Sequence, residues 1–346
     1  MAKKAQPVAA PRDLAILHWQ ASALDRVRSA AETGRLPHAL LLQGPPGVGK
    51  QRFAAALAAA LLCQDRKTGL VACGECPECQ LTKAGSHPDL HWLKRPEDRK
   101  SISVDQVREL SERLSMTSMR RGHRVAIIEP AHLMTRQAQN ALLKTLEEPP
   151  PATLLMLVTA TPSRLLPTLR SRCQRVEIAS PPRQVALGWL AEQLEDPLST
   201  ETRERLLDFA GGAPLKALSL APHFEGLEGQ MGDLLEALMA VEADVTTLAG
   251  EMLGEGLPVR LDWLEKWLER VLRLRSIGQA ETGLTIPGNS TLQRAGAEVN
   301  ISAAFRLVDR VREARRLLDG SSAPQLLIET LLLDFAAVFA QKGVNR

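Results

Sequence analysis

Tyrosine is absent from the 346 residues, and six Phe and five Trp hold the aromatic share to 3%. Ala and Leu fill most apolar positions instead, a bias that favours helix over strand. No run of about 18 apolar residues occurs, which argues against a membrane-spanning helix. Met1 to Pro11 carries Lys3 and Lys4 but lacks the continuous apolar stretch of a signal peptide, so the chain is read as cytoplasmic. Five cysteines are too few for a disulfide scaffold in a chain of this length. Internal repeats and low-complexity tracts are also missing. Charge of one sign is not in excess: 43 basic and 40 acidic residues leave +3, and polyanion binding needs clustered rather than balanced charge. What is present, 45% hydrophobic and 24% charged residues, is the composition of a globular protein with two or three domains.

The first half alternates strand-like and helix-like segments. A short apolar run at Leu40–Leu42 predicts a strand, and Asp89–Leu93, Val125–Ile128, Leu154–Thr159 and a short segment Arg175–Ile178 read as further strands. Between them, helices are predicted over Arg52–Leu62, from Ser103 (a capping box with Gln106) to Leu114, over Thr135–Glu147, and as a turn-helix piece over Pro162–Arg170. This alternation predicts a mostly parallel sheet covered by helices on both faces. After Pro182 the strand signal fades. Gln184–Leu194, Thr202–Phe209 and a short helix after Gly211, Gly212 and Pro214 make a small helical module. From Phe224 onward the chain reads as long amphipathic helices, notably Pro258–Leu274, Ala303–Leu318 and Pro324–Phe339, with Gly278–Asn289 as a loop.

Gly44-Pro-Pro-Gly47-Val-Gly49-Lys50 follows a strand and opens a helix, the setting of a phosphate-binding loop. Glycines let backbone N–H groups converge on a polyphosphate, the helix presents its positive end, and the lysine reaches the terminal phosphates. The next residue should carry a hydroxyl for Mg²⁺, but it is Gln51, whose amide is longer and fits an octahedral metal poorly. Both a nucleotide (ATP or ADP) and a mere tight turn remain open at Gly44, Gly47, Gly49, Lys50 and Gln51. An active NTPase also ends its central strand with a metal-binding acid and a water-activating acid. Here the strand ends in Glu129-Pro130, and proline cannot act as a base. No useful ATPase activity is expected of this chain, and Glu129 is read as a solvated carboxylate or an indirect metal contact.

Cys73-Gly-Glu-Cys76-Pro-Glu-Cys79, with Cys63 upstream, offers four thiolates at spacings that close around one Zn²⁺. With every position filled by sulfur, such a zinc is structural rather than catalytic. Arg170-Ser171-Arg172-Cys173 lies at a domain edge, where a guanidinium can reach across a subunit boundary to a neighbour's γ-phosphate, although on residue type alone it reads as a surface arginine. Cys173 reads as a buried small hydrophobe. Arg120, Arg121, His123 and Arg124 read as a solvated basic loop, with phosphate contact as the other option.

Together these residues resemble the clamp-loader subunits of bacterial DNA polymerase III. The resemblance rests on the glycine loop with a four-cysteine insert, on Asn140-Ala-Leu-Leu-Lys-Thr-Leu-Glu-Glu-Pro149, on Leu169-Arg-Ser-Arg-Cys173, and on Pro324-Gln-Leu-Leu-Ile-Glu-Thr-Leu-Leu-Leu333. It implies an α/β AAA+ P-loop domain with a parallel sheet and a zinc module (1–179, insert 63–79), a helical lid (180–222) and an all-α collar for oligomerisation (223–346). It further implies a pentameric ring with gamma/tau motor and delta subunits that places a sliding clamp on primer-template DNA, as part of the DNA-directed DNA polymerase at the replisome. The family's nucleotide-sensing lid arginine would fall near Leu215, which cannot serve. With Gln51 and Pro130, three departures remove ATP chemistry while Ser171-Arg172-Cys173 stays intact. The resemblance thus implies a largely non-hydrolysing member whose Arg172 acts in trans. Two alternatives are an active motor subunit of the gamma/tau type and a zinc-containing DNA-binding protein.

Overall fold

The predicted strands form one all-parallel sheet in a computed structural model that describes residues 14–65, 70–96, 98–120, 122–195, 198–239, 244–254, 256–277, 299–318 and 323–339. The strands are β1 (Ala39–Gln43), β2 (Leu90–Lys94), β3 (Arg124–Glu129), β4 (Thr153–Thr159) and β5 (Gln174–Glu177), in the order β2-β3-β4-β1-β5. β3 and β4 are buried along their whole length, which is why they read as continuous apolar runs rather than alternating ones. The two-residue period nevertheless sorts their side chains into two cores. Leu40, Leu42, Ile127 and Met156 pack with α1 (Ala21–Glu32) and α2 (Lys50–Leu62). Leu41, Ile128 and Leu157 pack on the other face with α4 (Val104–Ser115) and α5 (Arg136–Glu147). Ala54 to Ala60 of α2 are all buried, so the small side chains let this helix lie close on the sheet.

Local signals hold where they carry a hydrogen bond. Ser103 Oγ accepts from the N–H of Gln106 at 3.4 Å while Gln106 Oε1 accepts from the N–H of Ser103 at 2.9 Å, completing the predicted capping box of α4. Thr135 Oγ1 caps α5 through the N–H of Ala138. The turn-helix piece expected over Pro162–Arg170 is a 3-10 turn, Pro162–Arg164, followed by α6, Pro167–Arg170, with Pro167 holding Leu166 extended and restarting the helix. α1 was not predicted: its entry at Gln20 lacks a side-chain cap, and its buried residues are only Ala23 and Val27.

The described chain divides into two compact units, Met1–Ser219 and Leu220–Arg346. The first continues through α3 (Pro77–Lys83), α7 (Arg183–Gln193), α8 (Thr200–Phe209) and α9 (Pro214–Leu220), the last of which runs to the boundary. The second, as described, is helical: α10 (Phe224–Leu238), α11 (Val245–Met252), α12 (Leu257–Ile277), α13 (Ile301–Leu318) and α14 (Pro324–Phe339). Its core gathers Leu235, Leu261, Leu268, Val311 and Phe335. Arg312 Nε meets Glu265 at 2.6 Å and Arg315 meets Asp262 at 2.6 Å, joining the outer faces of α12 and α13. The predicted Gly278–Asn289 loop and the Met1–Pro11 segment lie outside the described residues.

Candidate functional site

The glycine loop leaves the C-terminal end of β1 and enters α2, as its pattern requires. Gly44, Gly47 and Gly49 all have positive φ, at 150°, 79° and 89°. Each also allows another part of the chain to approach. A Cβ on Gly44 would stand 2.0 Å from the Ile178 carbonyl oxygen, one on Gly47 2.6 Å from Lys216 Cβ, and one on Gly49 2.7 Å from Gln20 Nε2. Hydrogen bonds fasten the loop at the same points. Gln20 Nε2 donates to the carbonyls of Val48 (3.1 Å) and Gly49 (2.9 Å), Trp19 Nε1 donates to Val48 O (3.1 Å), and the N–H of Leu215 donates to Gly47 O (3.1 Å). Trp19 also stacks edge-on against Trp189 of α7, with ring centroids 5.3 Å apart. The sequence reading missed Trp19, Gln20 and Lys216; their contacts reach across 28 to 29 residues in the case of Gln20, and no local pattern marks them.

Lys50 is folded back onto its own loop, donating to the carbonyls of Gly44 at 2.8 Å and Pro45 at 2.5 Å. Burial pulls its ammonium down to about 8, against the raising effect of Glu129. A cavity of about 470 Å³ lies beside it, lined among others by Gly47, Gln51, Glu129, His132, Leu215 and Lys216. Glu129 is not the solvated carboxylate expected from its place at a strand end: it is buried to 7% exposure. Burial raises its pKa, opposed by Gln51, Lys94, Trp92 and Lys50. Among the described residues its Oε2 accepts no hydrogen bond. His132 Nδ1 stands 3.0 Å from Thr159 Oγ1, and burial lowers its pKa. Glu129 is the single carboxylate among the described cavity-lining residues, and Pro130 follows it. The cavity therefore has lysine and glycine loop in place but no second acid to activate water.

Gly47→Ala tests how firmly this loop is built into the fold. The added methyl meets Lys216 and must adopt a left-handed φ, so a loss of about 2–3 kcal/mol is expected in urea unfolding of the full chain. An unchanged midpoint would mean that α9 yields without cost.

The four cysteines of the predicted metal set converge. Cys63 sits at the end of α2, Cys76 caps α3, Cys79 lies in its first turn, and Cys73 in the preceding loop. Their Sγ atoms all lie within 4.8 Å of one another, with Cys63–Cys76 and Cys73–Cys79 both at 3.8 Å. A tetrahedron of sulfurs at the usual Zn–S distance has edges of about 3.8 Å. Backbone N–H groups of Cys76 (3.3 Å) and Glu75 (3.5 Å) point at Cys73 Sγ, and that of Cys73 points at Cys63 Sγ (3.4 Å), as thiolates require. The donor set fits a four-coordinate zinc with no open position. Next to it Glu78 and His87, both buried, meet at 3.0 Å, and Gln64 Nε2 donates to the other oxygen of Glu78 at 3.1 Å.

The basic run is not a uniform solvated loop. Arg124 is buried, and its guanidinium donates to the carbonyls of Leu114, Met116 and, at 2.7 Å, Pro151, so it ties the end of α4 to the start of β4. The N–H of Arg120 donates to Asp89 at 3.0 Å, and Arg121 lies outside the described residues. Arg172, by contrast, is exposed. Its Nη2 meets Glu147 Oε1 at 2.6 Å and its Nη1 donates to Thr168 O at 3.0 Å. Ser171 beside it is exposed, whereas Cys173 is buried in the core with Leu169, and burial pushes its thiol up to about 12, as suits a packing residue.

Residues 19–182 match the protein family described as "DNA polymerase III, delta subunit". The chain is 36% identical over 329 residues to the DNA polymerase III subunit delta' of Pseudomonas aeruginosa, covering 93% of this chain and 98% of that one. To the subunit of the same name from Escherichia coli K12 it is 35% identical over 319 residues, covering 91% and 93%. A DNA polymerase III subunit gamma/tau of Mycobacterium bovis is 28% identical over 87% of this chain and 57% of its own length. Among solved structures, a gamma-subunit-related protein from Thermotoga maritima aligns over 92% of this chain and 99% of its own at 21% identity and a TM-score of 0.47. With identity above a third sustained along nearly the whole of both chains, the protein belongs to the DNA polymerase III subunit delta' family.

Proposed function

We propose that this chain is a largely non-hydrolysing AAA+ subunit of a clamp loader, which donates Arg172 to the ATP site of an adjacent gamma/tau motor subunit and so helps place a sliding clamp on primed DNA. The observation that carries this reading is the exposed Arg172 guanidinium just past α6, in a chain whose own cavity holds Glu129 as the single carboxylate of its described lining. Gln51, Pro130 and Leu215 support it, since each stands where ATP chemistry would need another residue. Within this reading 1–179 is the AAA+ domain, 180–222 the lid and 223–346 the collar that joins gamma/tau and delta in a ring. Primer-template DNA threads that ring, held through phosphates without sequence reading. Cys63, Cys73, Cys76 and Cys79 hold a structural Zn²⁺ that closes the 63–79 insert and takes no part in the reaction. Neither ATP nor ADP is needed in this chain's own cavity for the trans role.

The isolated chain is expected to show no ATP hydrolysis above background, and mixing it with gamma/tau and delta is expected to yield one complex of fixed stoichiometry that loads clamps with ATP. Steady ATP turnover by the purified chain alone, abolished by Lys50→Ala, would instead make it a motor subunit.

A further inference from the structure

We infer that Glu147 is a positioning residue for Arg172, holding its guanidinium ready for the neighbour's nucleotide; this rests on the trans role proposed above. Glu147 is the last residue of α5, where a carboxylate faces the negative end of the helix dipole and gains nothing from its own helix. What it gains comes from outside, since its Oε1 lies 2.6 Å from Arg172 Nη2. Arg172 Nη1 is held at the same time by the Thr168 carbonyl at 3.0 Å, which also accepts from Ser171 Oγ at 3.1 Å. A guanidinium has five N–H donors in a fixed fork. Glu147 and Thr168 engage one donor on each terminal nitrogen, leaving the rest for an incoming phosphate. Both holding groups are fixed from beneath. Leu146 precedes Glu147, and Leu169 and Cys173 flank the Arg172 turn, all three buried in one core. The pair thus joins side chains that rise from two anchored backbones, and both partners stay reachable, at 38% and 51% exposure.

In the reaction, water attacks the neighbour's γ-phosphorus and the bond to the bridging oxygen breaks, releasing ADP and phosphate. Arg172 exchanges no proton; it neutralises charge building on the γ-phosphoryl oxygens. Glu147 touches neither phosphate nor water, and acts only by limiting the poses Arg172 must search.

The test is a double-mutant cycle in the complex reconstituted with gamma/tau and delta, with DNA-stimulated single-turnover ATP hydrolysis at the adjoining gamma/tau site as the readout. E147A is expected to lower the single-turnover rate at that site by up to about fivefold, the range of an exposed ion pair, with KM for ATP and complex stoichiometry unchanged. In an R172A background E147A is expected to cause no further loss. Wild-type turnover for E147A, or the same fractional loss with and without Arg172, overturns the inference while leaving the trans arginine in place. Wild-type turnover for R172A overturns the trans arginine itself, and the positioning role with it.

Discussion

Replacing Arg172 by alanine is expected to slow ATP turnover at the adjoining motor site by about a thousandfold, the lower end of what a trans arginine contributes to phosphoryl transfer. The charge that develops on the γ-phosphoryl oxygens would lose a counter-charge held in place, and water would replace a preorganised donor with a reorganising one. Total ATPase of a ring with several motor sites should fall only by the share of that site, so single-turnover measurements are the decisive readout. Arg172→Lys should rescue little, because a point charge on a flexible stem does not reproduce the planar fork. The chain itself should stay folded, since Arg172 is exposed and its contacts are one ion pair and one carbonyl. An Arg172→Ala complex whose DNA-stimulated ATPase and clamp loading both equal the wild type would remove the proposed role.

Loss of the cysteine-held metal is expected to have the largest effect on stability. Purified protein should carry about one zinc per chain by elemental analysis, and Cys79→Ala, the most buried of the four, should carry none. Without the ion, four thiols packed within 4.8 Å must either keep their protons in crowded positions or repel one another as thiolates. Metal binding free energy is folding free energy in such a site. Here the insert is one part of a larger unit, so a fall of about 10 °C in melting temperature is expected rather than complete unfolding. The damage should spread to α3 and to the buried Glu78–His87 contact beside it, visible as faster amide exchange over 76–90. Metal-free protein with an unchanged melting temperature would show that the four cysteines are held by packing alone.

Much of the first unit was legible because its signals are local. β1, β3 and β4 carry apolar runs, and β3 and β4 are buried on both sides, so pattern and burial agreed, while the edge strand β5 shows only its alternating Val176. Ser103 and Thr135 announced their helices through bonds to residues only three positions on. The cysteines were readable for a related reason: ligand spacing along the chain limits how the chain can close on one ion. α1 was not readable, because a helix that enters without a side-chain cap and buries Ala23 and Val27 leaves a faint pattern. Arg124 was misread for another reason. A run of basic residues looks solvated in sequence, but the carbonyls of Leu114, Met116 and Pro151 converge only in three dimensions, and three acceptors outweigh the cost of burying one guanidinium.

By itself, then, the sequence determined the sheet's strands, the helical second unit, the thiolate set, and Gln51 and Pro130 at positions where a hydroxyl and an acid would be expected, all of which depend on residue type and short spacing. Only the tertiary structure decided what the loop does with its glycines and lysine. Ile178, Lys216 and Gln20 close on Gly44, Gly47 and Gly49 from remote parts of the chain, and Lys50 turns to its own carbonyls. It also decided that Glu129 is buried and that Glu147 meets Arg172, since both depend on which helix and strand ends the sheet brings side by side. Local chemistry is written in the order of residues; contacts between distant segments exist only once hydrophobic burial on both sheet faces has brought those segments together.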